Sequence, residues 1–269
     1  LRQEVRSRCG LRLGNIRLDR VAIEQRRVLR QLLVRVLLLG LVVLNELVDL
    51  SLALLLLLQV YFGLRIASMK GVDPSSSAFE RSEMARLMQS RPPLKWQQRW
   101  VNLDQISIHL QRAVIVSEDD LFTQHHGVHW DALEKAWQRN ERSVALAQRR
   151  GRSAHLVGGS TITQQLAKNL FLSGERTLVR KGQELALTFM LEGLLSKQRI
   201  LEIYLNHVEW GQGIFGAQAA AQHYFGKNAS QLTEWEAARL AVMLPRPKWF
   251  EQHPDSPYWA DRTEVILSR

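Results

Sequence analysis

Glu118, Asp119 and Asp120 put three carboxylates side by side, after the apolar run Ala113-Val114-Ile115-Val116 and ahead of Phe122, His125, His126 and Gly127. Acids gathered where a hydrophobic element ends suit proton transfer, because the element supplies rigidity and its end supplies access. The same stretch also reads as the solvated end of an acidic helix. Phe122 and His125 suit the shaping of a turn better than they suit chemistry.

A second group runs Gly158-Gly159-Ser160-Thr161-Ile162-Thr163-Gln164-Gln165-Leu166-Ala167-Lys168-Asn169. Ser160, after two glycines, is the expected N-cap of a helix. Ile162, Leu166 and Leu170 repeat every four residues as a buried stripe. Thr161, Gln165 and Lys168 fall on another face, with Gln164 close by. Small residues before a helix N-terminus and a lysine two turns in suit an anion, although an ordinary capped helix has the same look. A third group is Arg176, Arg180, Lys181 and Glu184. Residues 180, 181 and 184 share a helical face. That face is either a surface salt-bridge patch or a cationic clamp around a carboxylate, suited to a pyrophosphate and a divalent metal.

These groups need elements to hold them. The chain has 269 residues, 46% of them hydrophobic, enough for one or two domains with a core. The net charge of +10 suggests an anionic partner: nucleic acid, phosphate groups or a membrane surface. Cys9 is the single cysteine, so no intrachain disulfide forms. Leu1 in place of Met fits a fragment or a non-standard start codon.

Residues 1–35 are Arg-rich, and residues 36–65 are overwhelmingly Leu and Val. A membrane span needs about 20 mostly apolar residues, and this run is long enough. Glu46 and Asp49 interrupt it at about 2.5–3.5 kcal/mol each on insertion scales, less if the span slides toward residues 47–65. The arginines place the tail in the cytoplasm and residues 66–269 outside, which argues against a nucleic-acid partner. Residues 66–84 read as a linker, with a turn at Asp73-Pro74-Ser75-Ser76-Ser77. Arg91 to Trp96 reads as a packed loop or a membrane-surface contact.

From Leu103 onward the apolar spacing is helical, with no convincing strand alternation. Helices are expected over about residues 105–120, from Trp130 through Trp137, and from Lys197 to Asn206 after a Ser196 cap. A basic, flexible loop is expected at residues 148–156. Trp210 to Gly216 reads as a glycine-rich loop. Gly226 reads as a C-cap, and Thr233-Glu234-Trp235-Glu236 as a capping box for a helix that ends before Pro245 and Pro247. A last helix is expected within Asp255–Arg269.

Four motifs in order resemble the peptidoglycan glycosyltransferase family. They are Glu118-Asp119-x-x-Phe122-x-x-His125-x-Gly127, Gly159-Ser160-Thr161-Ile162-Thr163-Gln164-Gln165-x-x-Lys168-Asn169, Arg180-Lys181-x-x-Glu184 and Lys197-x-x-Ile200-Leu201-Glu202-x-Tyr204-Leu205-Asn206. The resemblance covers roughly residues 85–269. With one span and no transpeptidase module after residue 269, it points to the monofunctional branch. It implies an all-α, lysozyme-like, two-lobed domain behind one transmembrane helix, in the bacterial inner membrane with the catalytic domain periplasmic. The implied substrates are lipid II and the growing glycan strand, and the implied reaction is β-1,4 polymerisation with inversion and loss of the lipid pyrophosphate.

Glu118 matches the family's general base, and Glu184 its second glutamate, beside the leaving pyrophosphate and a divalent ion (Mg2+ or Mn2+). Asp119, Ser160, Thr161, Gln164, Gln165, Lys168, Asn169, Arg176, Arg180 and Lys181 are the expected substrate contacts, with Asp119 alternatively assisting Glu118 or fixing the turn and Ser160 alternatively only a cap. Other cell-wall synthesis or division proteins are candidate partners. A carboxylate on the acceptor side and cations at the leaving group suit glycosyl transfer. The long segment between the first two motifs and the Arg-rich tail depart from the family pattern. A lytic hydrolase is the nearest rival, and a non-catalytic scaffold for anionic polymer is a rival from another class.

Overall fold

The computed structural model describes residues 2–89, 96–150, 159–172 and 177–269, with side chains from residue 27 onward except at positions 28 and 150. Arg176, most of the loop expected at 148–156, and residues 91–95 of the polar stretch lie outside the described residues. Contacts divide the chain into two compact units, residues 1–61 and 62–269.

Helix α1, Arg2–Ser68, runs without a break through the expected boundary at residue 35. Its stretch Leu29–Ser68 is, among the described residues, the one helix long and apolar enough to cross a membrane. Leu and Val side chains between residues 29 and 60 are exposed all round, the pattern of a helix whose solvent is lipid.

The second unit begins earlier than the expected domain boundary. Ile66 and Met69 are buried in its core. Helix α2, Ala78–Met88, starts inside the expected linker, and Ser77 and Glu80 form its capping box. Its acids are not solvated: Glu80 takes hydrogen bonds from Gln98 (2.7 Å) and the buried His207 (2.8 Å). Strand β1 is Gln97–Gln98.

Helix α3, Ile108–Glu118, is shorter than expected because Ser107 caps it and a 3-10 turn, Leu103–Gln105, precedes it. Helix α4 is Trp130–Arg150, so residues 148–150 end a helix rather than open a loop. Helices α5, Ile162–Phe171, α6, Leu178–Leu194, and α7, Lys197–His207, follow. Ile162, Leu166 and Leu170 of α5 are fully buried, and α5 packs on α6, α7 and α2. Leu187 and Leu191 meet this stripe from α6, and Ile200 and Ile203 from α7.

The expected glycine loop instead folds as β2, Glu209–Gly211, and β3, Ile214–Phe215; β3 pairs antiparallel with β2 and parallel with β1. Strands this short carry no alternation for a sequence to display. Gly216 has φ +81°, and a Cβ there would meet the Asn206 carbonyl oxygen at 2.7 Å, so glycine is required. Helix α8, Ala217–Phe225, ends on Gly226 in the left-handed region. Helix α9, Glu234–Met243, has the expected Thr233–Glu236 capping box. Pro247 opens α10, Pro247–Gln252, at its first turn, and α11, Pro257–Leu267, closes the chain. Helix α9 packs against α3 and α11. Leu110 and Val114 anchor α3 in that core, and its C-terminal end carries Glu118.

Candidate active site

Glu118 is the last residue of α3. Its Oε2 accepts a hydrogen bond from Gln165 Nε2 at 2.7 Å, and Gln165 Oε1 accepts from the Tyr204 hydroxyl at 3.0 Å. Two helices, α5 and α7, thus hold one carboxylate in place. Burial raises the Glu118 pKa above the usual 4.5; the neighbouring Asp119 charge adds to this, while the Gln165 hydrogen bond and Lys168 oppose it. Tyr204 is fully buried, so its hydroxyl stays protonated and remains a donor.

Asp119 does different work. It caps the C-terminus of α3 and is 6% exposed. Its Oδ2 accepts from the Ile162 backbone N–H at 3.0 Å, and its Oδ1 accepts from His125 Nε2 at 2.8 Å. The Gly127 N–H donates to His125 Nδ1 at 3.1 Å, which assigns the imidazole proton to Nε2. Thr161, not Ser160, caps α5, in a capping box with Gln164. The Thr161 hydroxyl donates to the Gly127 carbonyl at 2.6 Å. This network sews the turn after α3 to the start of α5, so Asp119 and Thr161 position Glu118 and have their hydrogen bonds taken inside the protein. In Asp119→Asn the amide offers an acceptor to only one of the two donors. The expected loss is about 1–3 kcal/mol of stability, read by thermal unfolding.

Ser160 is exposed and lines two adjoining cavities. The smaller, about 210 Å³, holds Glu118, Asp120, His129, Arg139 and Arg262. The larger, about 490 Å³, is lined by Gln164, Gln165, Lys168, Asn169 and the charged face of α6. There Arg180 Nη1 meets Glu184 Oε2 at 2.9 Å, and Lys181 Nζ bonds the other oxygen. Lys168 faces the same cavity with no ion pair among the described residues. Its pKa lies below the usual lysine value; desolvation in the cleft is the main cause, Glu184 opposes it, and Arg180 and Lys181 add to it. Helix α5 therefore joins the halves, with Gln165 gripping Glu118 and Lys168 reaching the α6 cluster.

The transglycosylase family model matches residues 84–269. The chain belongs to that family. It is 50% identical over 216 residues to the biosynthetic peptidoglycan transglycosylase of Herminiimonas arsenicoxydans, covering 80% of this chain and 90% of the relative. It is 52% identical to the one from Burkholderia thailandensis, over 78% and 79% of the two chains. With the one from Bordetella avium it shares 53%, over 73% and 80%. The transglycosylase domain is the lysozyme-like helical fold, in keeping with the helical unit described above.

Among the described residues, this transglycosylase site holds no preformed cluster of metal-ligating side chains. Arg180 and Lys181 engage both oxygens of Glu184, and among the described residues no three His, Cys, Asp or Glu side chains gather to hold an ion.

Sequence reasoning missed one cavity-lining acid, Glu209 on β2. Burial raises its pKa to about 7, against the opposing charge of Lys248. Lys248 lies 3.1 Å from it and also bonds Glu83. No local signal marks Glu209, since Lys248 comes from α10. The folded state binds this proton more tightly than the unfolded chain, so stability is lost as pH rises from 4.5 through 7. Glu209→Gln is expected to match wild type near pH 4 and to exceed it at pH 8 by up to roughly 3 kcal/mol, read from denaturant unfolding at the two pH values.

Proposed function

We propose that this protein polymerises lipid II into β-1,4-linked glycan strands, with Glu118 as general base and the α6 cations receiving the lipid pyrophosphate. The observation that carries the reading is the pair of adjoining cavities: a half-buried, fixed carboxylate in one and Lys168, Arg180 and Lys181 around Glu184 in the other. The acceptor's 4-hydroxyl gives its proton to Glu118 as its oxygen bonds to the donor's anomeric carbon. The bond from that carbon to the pyrophosphate oxygen breaks on the opposite face, so configuration inverts from α to β. The pyrophosphate takes the electron pair and leaves among the cations, so no strong general acid is needed. A glycosidase would need one, and a cationic cluster at that position suits a phosphate better than a sugar hydroxyl.

Gln164, Asn169 and Ser160 line the donor cavity and are the sugar or phosphate contacts in this reading. A divalent ion, where one accompanies the pyrophosphate, would supply added positive charge at the leaving group beside Glu184. Helix α1 anchors the chain in the bacterial inner membrane, with the Arg-rich tail cytoplasmic and the catalytic unit periplasmic. Other cell-wall synthesis or division proteins are its partners there.

The test uses the full chain in detergent with labelled lipid II and, separately, preformed strands. Long products from lipid II support the synthase. Intact lipid II with shortened strands would establish the lytic hydrolase instead.

A further inference from the structure

Helix α1 carries acids where lipid should surround it. Residues 36–64 contain Glu46 and Asp49 but no Lys, Arg or His. Residues 50–64 cover about 22 Å of helix, whereas a bilayer core is about 30 Å thick. Arg65 lies over the Phe171 ring at 5.2 Å in the folded unit, so it is not free to slide into hydrocarbon. A span that ends at Arg65 and crosses the core therefore takes in Asp49.

The acids are not scattered. Asn45 Nδ2 donates to Asp49 Oδ2 at 3.1 Å, one turn along. Asn45, Asp49, Leu52 and Leu56 follow a 4-3-4 spacing, that of a seam a helix presents to a packed neighbour. Glu46 borders that seam. A carboxylate about 6 Å inside the edge of the core is destabilised less than one at its centre, and a cation or a hydrogen-bond donor relieves the cost. A second copy of the chain would bring the same two acids and no cation, so it would double the charge rather than neutralise it.

We propose that the Asn45–Asp49 seam of α1 docks the transmembrane helix of a different membrane protein, one bearing a Lys or Arg at the depth of Asp49. The cation pairs with Asp49 and Glu46, Asn45 orients the carboxylate, and Leu52 and Leu56 pack below. This goes beyond the glycosyl-transfer chemistry and rests on α1 being the membrane span.

The test uses the full-length protein, labelled at Cys9, in phosphatidylethanolamine and phosphatidylglycerol vesicles. A labelled Leu-rich single-span peptide is added, with either one Arg or only Leu about five residues in from the cytoplasmic end of its span, the depth of Asp49. Energy transfer is expected to the Arg peptide and not to the Leu peptide. Asp49→Leu is expected to weaken that association about 5- to 30-fold while synthesis from lipid II is unchanged. Equal transfer to both peptides, or no effect of Asp49→Leu, overturns the proposal. Transfer between copies of the chain that disappears in Asn45→Leu overturns it in favour of self-association. Failure of the protein to float with the vesicles overturns the span itself, and this docking face with it.

Discussion

Glu118→Gln is expected to lower strand synthesis by about 10²–10⁴, the usual contribution of a positioned base. The substitution keeps shape and removes only the ability to take a proton. Gln165 Nε2 now donates to Glu118 Oε2, and the amide oxygen accepts the same bond. Lipid II binding and fold are therefore retained, and the loss falls on kcat. Stability gives an independent sign. Burial raises the Glu118 pKa, so the folded state favours the protonated form and stability is lost as pH rises above 4.5 toward the raised value. At pH 7.5 the variant should melt at or above the wild-type temperature, with the difference vanishing near pH 4. Synthesis is followed by product length from labelled lipid II, and melting by circular dichroism. A variant that both melts earlier and binds lipid II poorly would show that the carboxylate holds the fold rather than the proton.

Lys168→Met is expected to lower kcat by about 10²–10³, the cost of removing one preorganised charge from developing negative charge. Arg180 and Lys181 are already engaged with Glu184, which leaves Lys168 as the cation in that cavity with no ion pair among the described residues. Methionine keeps the apolar stem, so packing of α5 survives. The lysine pKa is lowered, chiefly by desolvation in the cleft, so wild-type activity should fall on the alkaline side below the usual 10.5 of a free lysine. The variant should lack that limb. Retained kcat with a raised KM would move Lys168 from the leaving group to ground-state binding.

Where local chemistry decides, the sequence was legible. The Thr233 and Ser196 caps, the Gly226 terminus, the α5 stripe and the 180–181–184 face could each be read from a few neighbouring residues, and the structure has them as read. Distant partners were not legible. Ser160 and Thr161 are adjacent hydroxyls, and only the Gly127 carbonyl, far off in sequence, selects Thr161. The acids of α2 suggest a solvated linker until His207 and Lys248 arrive to pair them. Glu209 is hidden for the same reason. Asp119 sat beside the base in the motif with both assisting the base and fixing the turn open to it, and only the Ile162 N–H and His125 give it the positioning role.

The most direct measurement is kcat/KM for strand synthesis from lipid II across acid to neutral pH, for wild type and Glu118→Gln side by side. The expected result is a wild-type rate that falls on the acid side with its midpoint above 4.5, as the raised Glu118 pKa requires, and a small residual rate in the variant that is flat over the same range. A variant that keeps the wild-type acid limb, or a wild-type rate flat through that range, would contradict Glu118 as the base.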